Sequence, residues 1–441
     1  MNNKILISLT LLLSSFSLQA EDLSQIFELS KTNDPAYGAA VAQYHAAVET
    51  SPKAWAGVKP QINLRGQYAE IDETRTTTFN NVTTVLDESF DNSLYSLTLS
   101  QTIYNKAQFD AIAQANALVA QAEALYDNAR DDLTLRVAQS YFGVLSESAS
   151  LVSAKAEKKA IAQQLDQAKQ RFKVGLTAIT DVLEAQARYD QAVSSEIEAQ
   201  RLLDLSKESL REIIGQAPGE LSEVKKDLKL VSPDPQDIDA WVKTALERNL
   251  LLLSAEQAVN AAREGKDLAN AGHYPTLDFQ ASYEDNETNG GIFPSEGDGT
   301  TLALQLNIPI YSGGGTSASG REAAALYQES KQLYEQQRRA TERLTRNSYL
   351  TVLSAISQVS ALKQALLSTQ TALEATQAGF DVGTRTAVDV LDSQQDMYRA
   401  RTNHIRARHA YIVNTLQLKQ AAGTLVDEDI TLINAWLDAT P

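Results

Sequence analysis

The chain has 441 residues, 39 basic against 56 acidic side chains, a formal charge of -17 and no cysteine. Disulfide scaffolds, thiol catalysis and iron–sulfur clusters are excluded, four histidines leave little for a zinc framework, and an acidic chain without a basic tract does not bind nucleic acid. Aromatic residues are only 7%, so long, thinly packed helices suit the chain better than the several thick-cored domains its length suggests.

Residues 1–20 read as a signal peptide for export. Lys4 gives the positive n-region, Ile5 to Leu13 the apolar core, and Leu18-Gln19-Ala20 the small-residue cleavage site. Beyond it no stretch approaches the roughly 20 apolar residues of a spanning helix, so the exported chain is expected to be soluble or to meet a membrane through β-strands. One helix is expected over about Leu23 to Ala56, then a hairpin over 61–104. Its first run sets Ile62, Leu64, Gly66 and Tyr68 against Gln61, Asn63, Arg65 and Gln67; its second sets Tyr95, Leu97, Leu99 and Ile103 against Ser96, Thr98, Ser100 and Thr102. A period of two gives one apolar and one polar face. The polar segment Ala69 to Leu94, with Phe79 and Phe90, is expected to be an exposed loop.

A long helix is expected from Ala107 to Lys173, a rod on the order of 100 Å at about 1.5 Å per residue. Ile112, Ala115, Val119, Ala122, Tyr126, Ala129, Leu133 and Val137 give it an apolar seam at steps of three and four. Gly175 is the helix stop and tip turn, Thr180 to Ile214 the return helix, and 215–237, with Pro218, Pro233 and Pro235, the linker between two halves. The second half, 238–423, follows the same course. A helix from Ile238 to Ala271 leads to a hairpin over 276–311, in which Leu277, Phe279, Ala281 and Tyr283 partner Leu302, Leu304, Leu306, Ile308 and Ile310 around a loop from Glu284 to Thr300. Gly313-Gly314-Gly315 reads as a strand-to-helix hinge, Ala318 to Phe380 as the long helix, Gly383 as the tip turn and Thr386 to Ala422 as the return helix. Residues 424–441 are expected to join the linker in a small mixed side domain, with Trp55, Trp241 and Trp436 packed where helices meet it. His404 and His409, five apart, miss the i, i+4 spacing of a metal pair and read as structural.

The two halves, 21–214 and 238–423, are copies. Phe172-Lys173-Val174-Gly175 with Thr180-Asp181-Val182-Leu183 returns as Phe380-Asp381-Val382-Gly383 with Val388-Asp389-Val390-Leu391, and Pro60-Gln61-Ile62 returns as Pro275-Thr276-Leu277 at nearly the same offset. Hairpins of this kind also fit a soluble sandwich, but the tyrosines favour a membrane. Tyr104, Tyr274 and Tyr311 fall at one end of the strands and Tyr68, Tyr95 and Tyr283 toward the other, as in the girdles of an outer-membrane barrel. Four strands cannot close a barrel and lipid tolerates no open edge, so the chain must oligomerise, with two, three or four copies all compatible with the pattern. An exported adhesin or scaffold would lack the hairpins and repeated tips. An exported enzyme would need a convergent nucleophile or acid–base set, and no G-x-S-x-G is present; neither enzymatic activity nor a cofactor is expected.

The tip segments, Gln164 through Arg171-Phe172-Lys173-Val174-Gly175-Leu176-Thr177-Ala178-Ile179-Thr180-Asp181 and Val382-Gly383-Thr384-Arg385-Thr386-Ala387-Val388-Asp389, resemble those of the outer membrane factor family, the exit ducts of efflux and type I secretion systems. The resemblance runs over essentially the whole exported chain. It implies a mainly α fold with a membrane β-barrel: a homotrimer with a twelve-stranded barrel continuous with a twelve-helix periplasmic α-barrel, plus a small mixed equatorial domain. It implies a duct in the outer-membrane lipid that exports drugs, small toxic molecules or secreted proteins. Its partners would be a periplasmic adaptor (membrane fusion) protein and an inner-membrane RND or ABC-type transporter, and its closed periplasmic tip would open by iris-like movement of helices. Val174, Gly175, Leu176, Thr177, Val382, Gly383 and Thr384 would dock the adaptor. Arg385 would bond Asp181 and Thr180 of a neighbouring protomer, in a gate network that also includes Phe380 and Gln164. The family carries tyrosine at the position of Phe380 and glutamate at that of Gln377, so the network here should be weaker or rearranged.

With Gly383 as the turn, Asp389 and Asp392 lie one turn apart on one helix face, and cyclic symmetry makes each a ring of carboxylates. Such rings select cations and could be blocked by multivalent ones without any structural metal site. Crowding of like charges is expected to raise their pKa values. The first repeat has Asp181 and Glu184 at the equivalent positions.

Overall fold

The computed structural model describes residues 20–291 and 293–438. Except for Ala20, the segment expected to be a signal peptide lies outside the described residues, as does the end of the C-terminal segment. In chain order the elements are α1 Leu23–Asn33, α2 Pro35–Val48, α3 Thr50–Ala56, β1 Gln61–Phe79, β2 Val82–Asn105, α4 Lys106–Lys173, α5 Ile179–Ile214, α6 Ile238–Arg248, α7 Leu250–Asn270, β3 Thr276–Gly290, β4 Ser295–Asn307, α8 Gly315–Asp381, α9 Ala387–Ala421 and α10 Asp427–Asn434.

The described residues form two compact units, neither of which coincides with a repeat. Of the described residues, one unit comprises those up to Gly38, Ala129–Asn249 and those from Glu342 on, the other those of Ala39–Asn128 and Leu250–Thr341. Each draws on both copies, because the chain runs through the second unit and returns in each half.

The flanking helices are broken where single helices were expected. Asp34 is extended, as the residue before a proline prefers, and its Oδ1 then accepts from Ala36 N–H at 2.7 Å to cap α2, with Pro35 at the first helical position. The corresponding break at Asn249 is held by its Nδ2, which donates to Ala421 O at 3.0 Å.

The second unit holds a four-stranded antiparallel sheet in the order β1-β2-β3-β4. Both hairpins are longer than the alternation suggested. The segment 69–94, expected as a loop, is strand almost throughout, with Thr78 opposite Thr83 and Phe79 opposite Val82 around Asn80 and Asn81. The reason is twofold. Threonine and valine are strand formers however polar the segment looks, and Asn80 and Asn81, at φ 47° and 62°, supply the two positive-φ residues of a tight hairpin turn. Phe90 likewise lies in β2. Residues 284–300, also expected as a loop, pair from Glu284 opposite Gly299 to Thr288 opposite Ser295. At the other end β4 stops at Asn307, so Ile308 and Ile310 are not in the strand; Pro309 has no N–H to give the ladder. Gly313 and Gly314 then take φ of 63° and 82° before α8 begins.

The first unit carries the main core. Leu133, Val137 and Tyr141 of α4, Leu210 and Ile214 of α5, and Tyr411, Ile412 and Leu416 of α9 close around Leu23 and Ile26 of α1. Each large side chain fully buried in this way contributes about 1.5–3 kcal/mol. The Tyr141 hydroxyl reaches Ser222 O at 2.9 Å and Glu21 O at 3.2 Å, bringing the segment before α1 and the linker to one helix. Short bridges Glu21 to Leu221 and Val224 to Leu437 add β character. Trp241 donates its Nε1–H to Pro235 O at 2.9 Å and Trp436 packs against the same core. Trp55 does not join them: it is 45% exposed on α3, in the other unit. The apolar stretch of α8 also corrects an expectation, since by length and composition alone this helix could cross a membrane. Its Val352, Ala355 and Val359 are buried in the first unit's core, with serines and Gln358 between them, while most of the stretch is not buried.

His409 is a structural residue with a pH consequence. Ser146 Oγ donates its only proton to Phe142 O at 2.7 Å, so His409 Nδ1, 2.8 Å from the same oxygen, is the donor in that contact. Burial first, and Arg408 beside it, lower its pKa to about 4. The unfolded chain therefore takes up a proton at this position between about pH 6.5 and 4 that the folded chain refuses, and stability falls as pH drops through that window, by at most about 3 kcal/mol. His409→Gln is expected to lose that increment of acid sensitivity, read as a smaller shift of the denaturant midpoint between pH 7 and pH 4.5 than in the wild type. Equal shifts would remove His409 from the account.

Candidate functional site

The first unit ends in two helical hairpins with equivalent turns. Gly175 N–H donates to Phe172 O at 3.0 Å and Leu176 N–H to Arg171 O at 2.9 Å; in the second copy Gly383 N–H donates to Phe380 O at 3.1 Å and Thr384 N–H to Gly379 O at 2.8 Å. Both are Schellman closures, and the φ values of 76° and 82° require glycine. The residues around them are open. Val174, Leu176 and Val382 are exposed, apolar positions on a surface otherwise rich in charge. Behind the first turn, Ile161, Leu165 and Ala168 of α4 meet Ala185 and Ala192 of α5, and Leu391 of α9 enters the same cluster. Ala185 and Ala192 are a heptad apart, a coiled-coil seam whose small residues let helices approach closely.

Asp389 has a local role that its ring reading did not include. Its Oδ2 accepts from Thr386 N–H at 2.8 Å and from Thr386 Oγ1 at 2.9 Å, while its own N–H donates back to Thr386 Oγ1 at 3.2 Å. This is a capping box opening α9. The Thr386 backbone bond, then its hydroxyl, and last the charge of Arg385 hold the carboxyl below the usual range. Hydrogen bonds to the charged form favour it, and this local effect is separate from the rise expected where like carboxylates of several copies crowd together. Asp392, one turn on, accepts from Arg188 of α5, with Nη2 2.7 Å from Oδ1.

The other tip residues are distributed as follows. Thr177 donates through its hydroxyl to Asp181, and Thr180 is exposed in the first turn of α5. Gln164 is buried on α4. Arg385 donates its backbone N–H to Gly379 O at 3.2 Å, and its side chain lies against Gly379. Gln377 donates to Asp381 at 3.1 Å, a partner on its own helix. Phe380 is buried, and the Arg171 guanidinium sits 4.5 Å from its ring centroid. A phenol is therefore not needed to engage this position: the bare ring accepts a cation–π contact. Arg171, quoted in the tip segment but given no role there, and Arg188, which the sequence did not single out, both tie the first repeat to the second. No local pattern marks them, since each partner lies some two hundred positions away.

In the second unit the alternation becomes a continuous apolar face. Ile62 pairs with Leu99, Leu64 with Leu97 and Gly66 with Tyr95; Leu97 pairs with Tyr283 and Leu99 with Ala281; Ala281 pairs with Leu302, Phe279 with Leu304 and Leu277 with Leu306. Leu64 is 78% exposed and Leu304 68%. Tyr68, Tyr95 and Tyr283 lie within a few register positions of one another, and beyond them the hairpins turn acidic and threonine-rich. An apolar band this wide on an open sheet is a surface for lipid, not water. Among the described residues no group of three or more histidine, aspartate or glutamate side chains could hold a metal ion.

The sequence matches the family described as outer membrane efflux protein over residues 27–216 and 241–424. It is 35% identical over 429 residues to the outer membrane protein TolC of Vibrio cholerae, covering 96% of this chain and 95% of that one. With the proteases secretion protein PrtF of Dickeya chrysanthemi the identity is 28% over 445 residues, 99% of this chain and 96% of the other. In fold the chain is similar to the Campylobacter jejuni CmeC outer membrane channel, with a TM-score of 0.80 at 14% identity over 94% of this chain and 90% of that one.

Proposed function

The chain belongs to the outer membrane efflux protein family, and from that premise we propose that three copies form a closed duct through the outer membrane, with the tips of α4–α5 and α8–α9 at its periplasmic mouth. It is an outer-membrane efflux or secretion channel by family. The observation that carries the proposal is the sheet of the second unit, which presents a broad apolar face and leaves both β1 and β4 as edges. Neither edge can stay open in lipid. Three copies give twelve strands, enough for a barrel, and the duplicated helix pairs give twelve helices for a periplasmic wall.

In this reading the duct carries drugs, small toxic molecules or secreted proteins delivered by a periplasmic adaptor and an inner-membrane RND or ABC-type transporter. The secretion role of PrtF supports protein cargo as well as small molecules. The exposed Val174, Leu176 and Val382 suit docking of apolar adaptor helices. Asp389 and Asp392 line the constriction as two tiers of carboxylates, and opening moves α8–α9 away from α4–α5. Deleting the gene is expected to sensitise the cell to apolar drugs and bile salts by tenfold or more in inhibitory concentration, with recovery from a plasmid copy. Unchanged susceptibility together with an unchanged set of secreted proteins would overturn the export reading.

A further inference from the structure

The pairing of Asp392 is not explained by stability. Arg188 and Asp392 keep 38% and 52% of their side chains exposed, and an ion pair that open adds at most about 1 kcal/mol. Its position is nevertheless fixed. Arg188 stands one turn from Ala185 and one from Ala192 on α5, and Asp392 follows Leu391 on α9, so the packed cluster of those three residues sets the distance between the charged side chains on its border. The tier above is different: Asp389 is held ionised by Thr386, and the charge of Arg385 is the least of the influences on it. One of the two carboxylates per protomer is therefore matched by a fixed cation and the other is not.

We infer that Arg188 sets the charge of the constriction by neutralising the Asp392 tier, leaving Asp389 to carry the cation preference of the pore. The inference rests on the placement of both aspartates at the constriction. Sequence alone counts two acidic tiers; the ion pair halves their net charge, and a multivalent cation entering the mouth meets a correspondingly weaker field. At the few-ångström distances of a narrow pore, one added unit charge per protomer acts strongly on a trivalent ion even in a water-like dielectric.

The test uses the full-length protein reconstituted in planar bilayers, with hexamminecobalt(III) as the probe. Its inert ammine shell reports field and not ligation. Arg188→Gln is expected to raise cation over anion preference and to lower the half-blocking concentration by roughly tenfold. Arg188→Lys keeps the charge and should keep the wild-type block, which separates charge from packing. Asp392→Asn leaves Arg188 unmatched and should weaken the block, while the double variant Arg188→Gln with Asp392→Asn, equal in net charge to the wild type, should return close to it. If Asp392→Asn alters the block but Arg188→Gln does not, Arg188 has no such role. If Asp389→Asn and Asp392→Asn both leave preference and block unchanged, the placement of the aspartates at the constriction fails and the inference with it.

Discussion

Leu64→Arg is expected to remove the protein from the outer membrane as an assembled species. Leu64 lies in the middle of the apolar run of β1, between Ile62 and Gly66, with Leu97 directly opposite on β2 and 78% of its surface open in the chain. If that face meets lipid, an arginine there sits near the bilayer midplane, where a charge costs about 2–4 kcal/mol per substitution. Three copies multiply the cost within one assembly, against a trimer that must form before any barrel closes. The control lies one residue away. Asn63 alternates onto the opposite, polar face with Gln61 and Arg65, and Asn63→Arg should be tolerated, since positions facing a water-filled lumen accept charge. The readout is the heat-modifiable oligomer in outer-membrane fractions. Leu64→Arg assembling as well as Asn63→Arg would mean that the exposed face is covered by protein and not by lipid.

The contrast between those neighbours was legible in the sequence, because a period of two in Ile62, Leu64 and Tyr68 survives in any strand that has one wet face. The length of the strand was not. Thr76 to Thr78 and Thr83 to Val85 belong to a sheet only through each other, and composition read locally counts them as polar loop. The helices show the same division. Gly175 and Gly383 mark stops by backbone chemistry that one residue carries alone, and Pro35 does the same although one helix was expected to run through it. The Thr386 and Asp389 pair is also local, spaced as a capping box, yet it was read only as a source of pore charge. A residue can serve both, and the cap places the carboxylate by fixing the first turn of α9. Arg188 with Asp392 and Arg171 with Phe380 depend on how two copies of a hairpin pack side by side. That packing follows from alanine seams whose partners the sequence does not name.

The largest stability effect is expected at a glycine outside both tips. Gly423 ends α9 with φ of 66°, its N–H donating to Gln420 O at 3.0 Å and the next N–H, of Thr424, to Lys419 O at 2.9 Å. A Cβ added there would run into the Arg248 carbonyl and approach Asn249 N to 2.8 Å. These are backbone atoms at the junction of α6 and α7, and they cannot swing aside as a side chain would. Asn249 is itself tied to Ala421 O, and Ala422, Ala245 and Leu418 around it are buried, so retreat on either side opens the core. The left-handed conformation costs a non-glycine residue about 1–2 kcal/mol, and forcing atoms into packed structure about 1–3 kcal/mol more. Gly423→Ala should therefore destabilise the first unit by about 2–5 kcal/mol, a large fraction of the 5–15 kcal/mol typical of a folded domain. Gly383→Ala is the matched comparison: its φ is 82°, but nothing lies within 4 Å of the added carbon, so only the conformational part applies. Denaturant midpoints and protease resistance of the two variants should differ clearly, with Gly423→Ala the less stable. Equal losses would mean that α9 and the α6–α7 junction are free to move apart, and that the end of the return helix does not anchor the first unit.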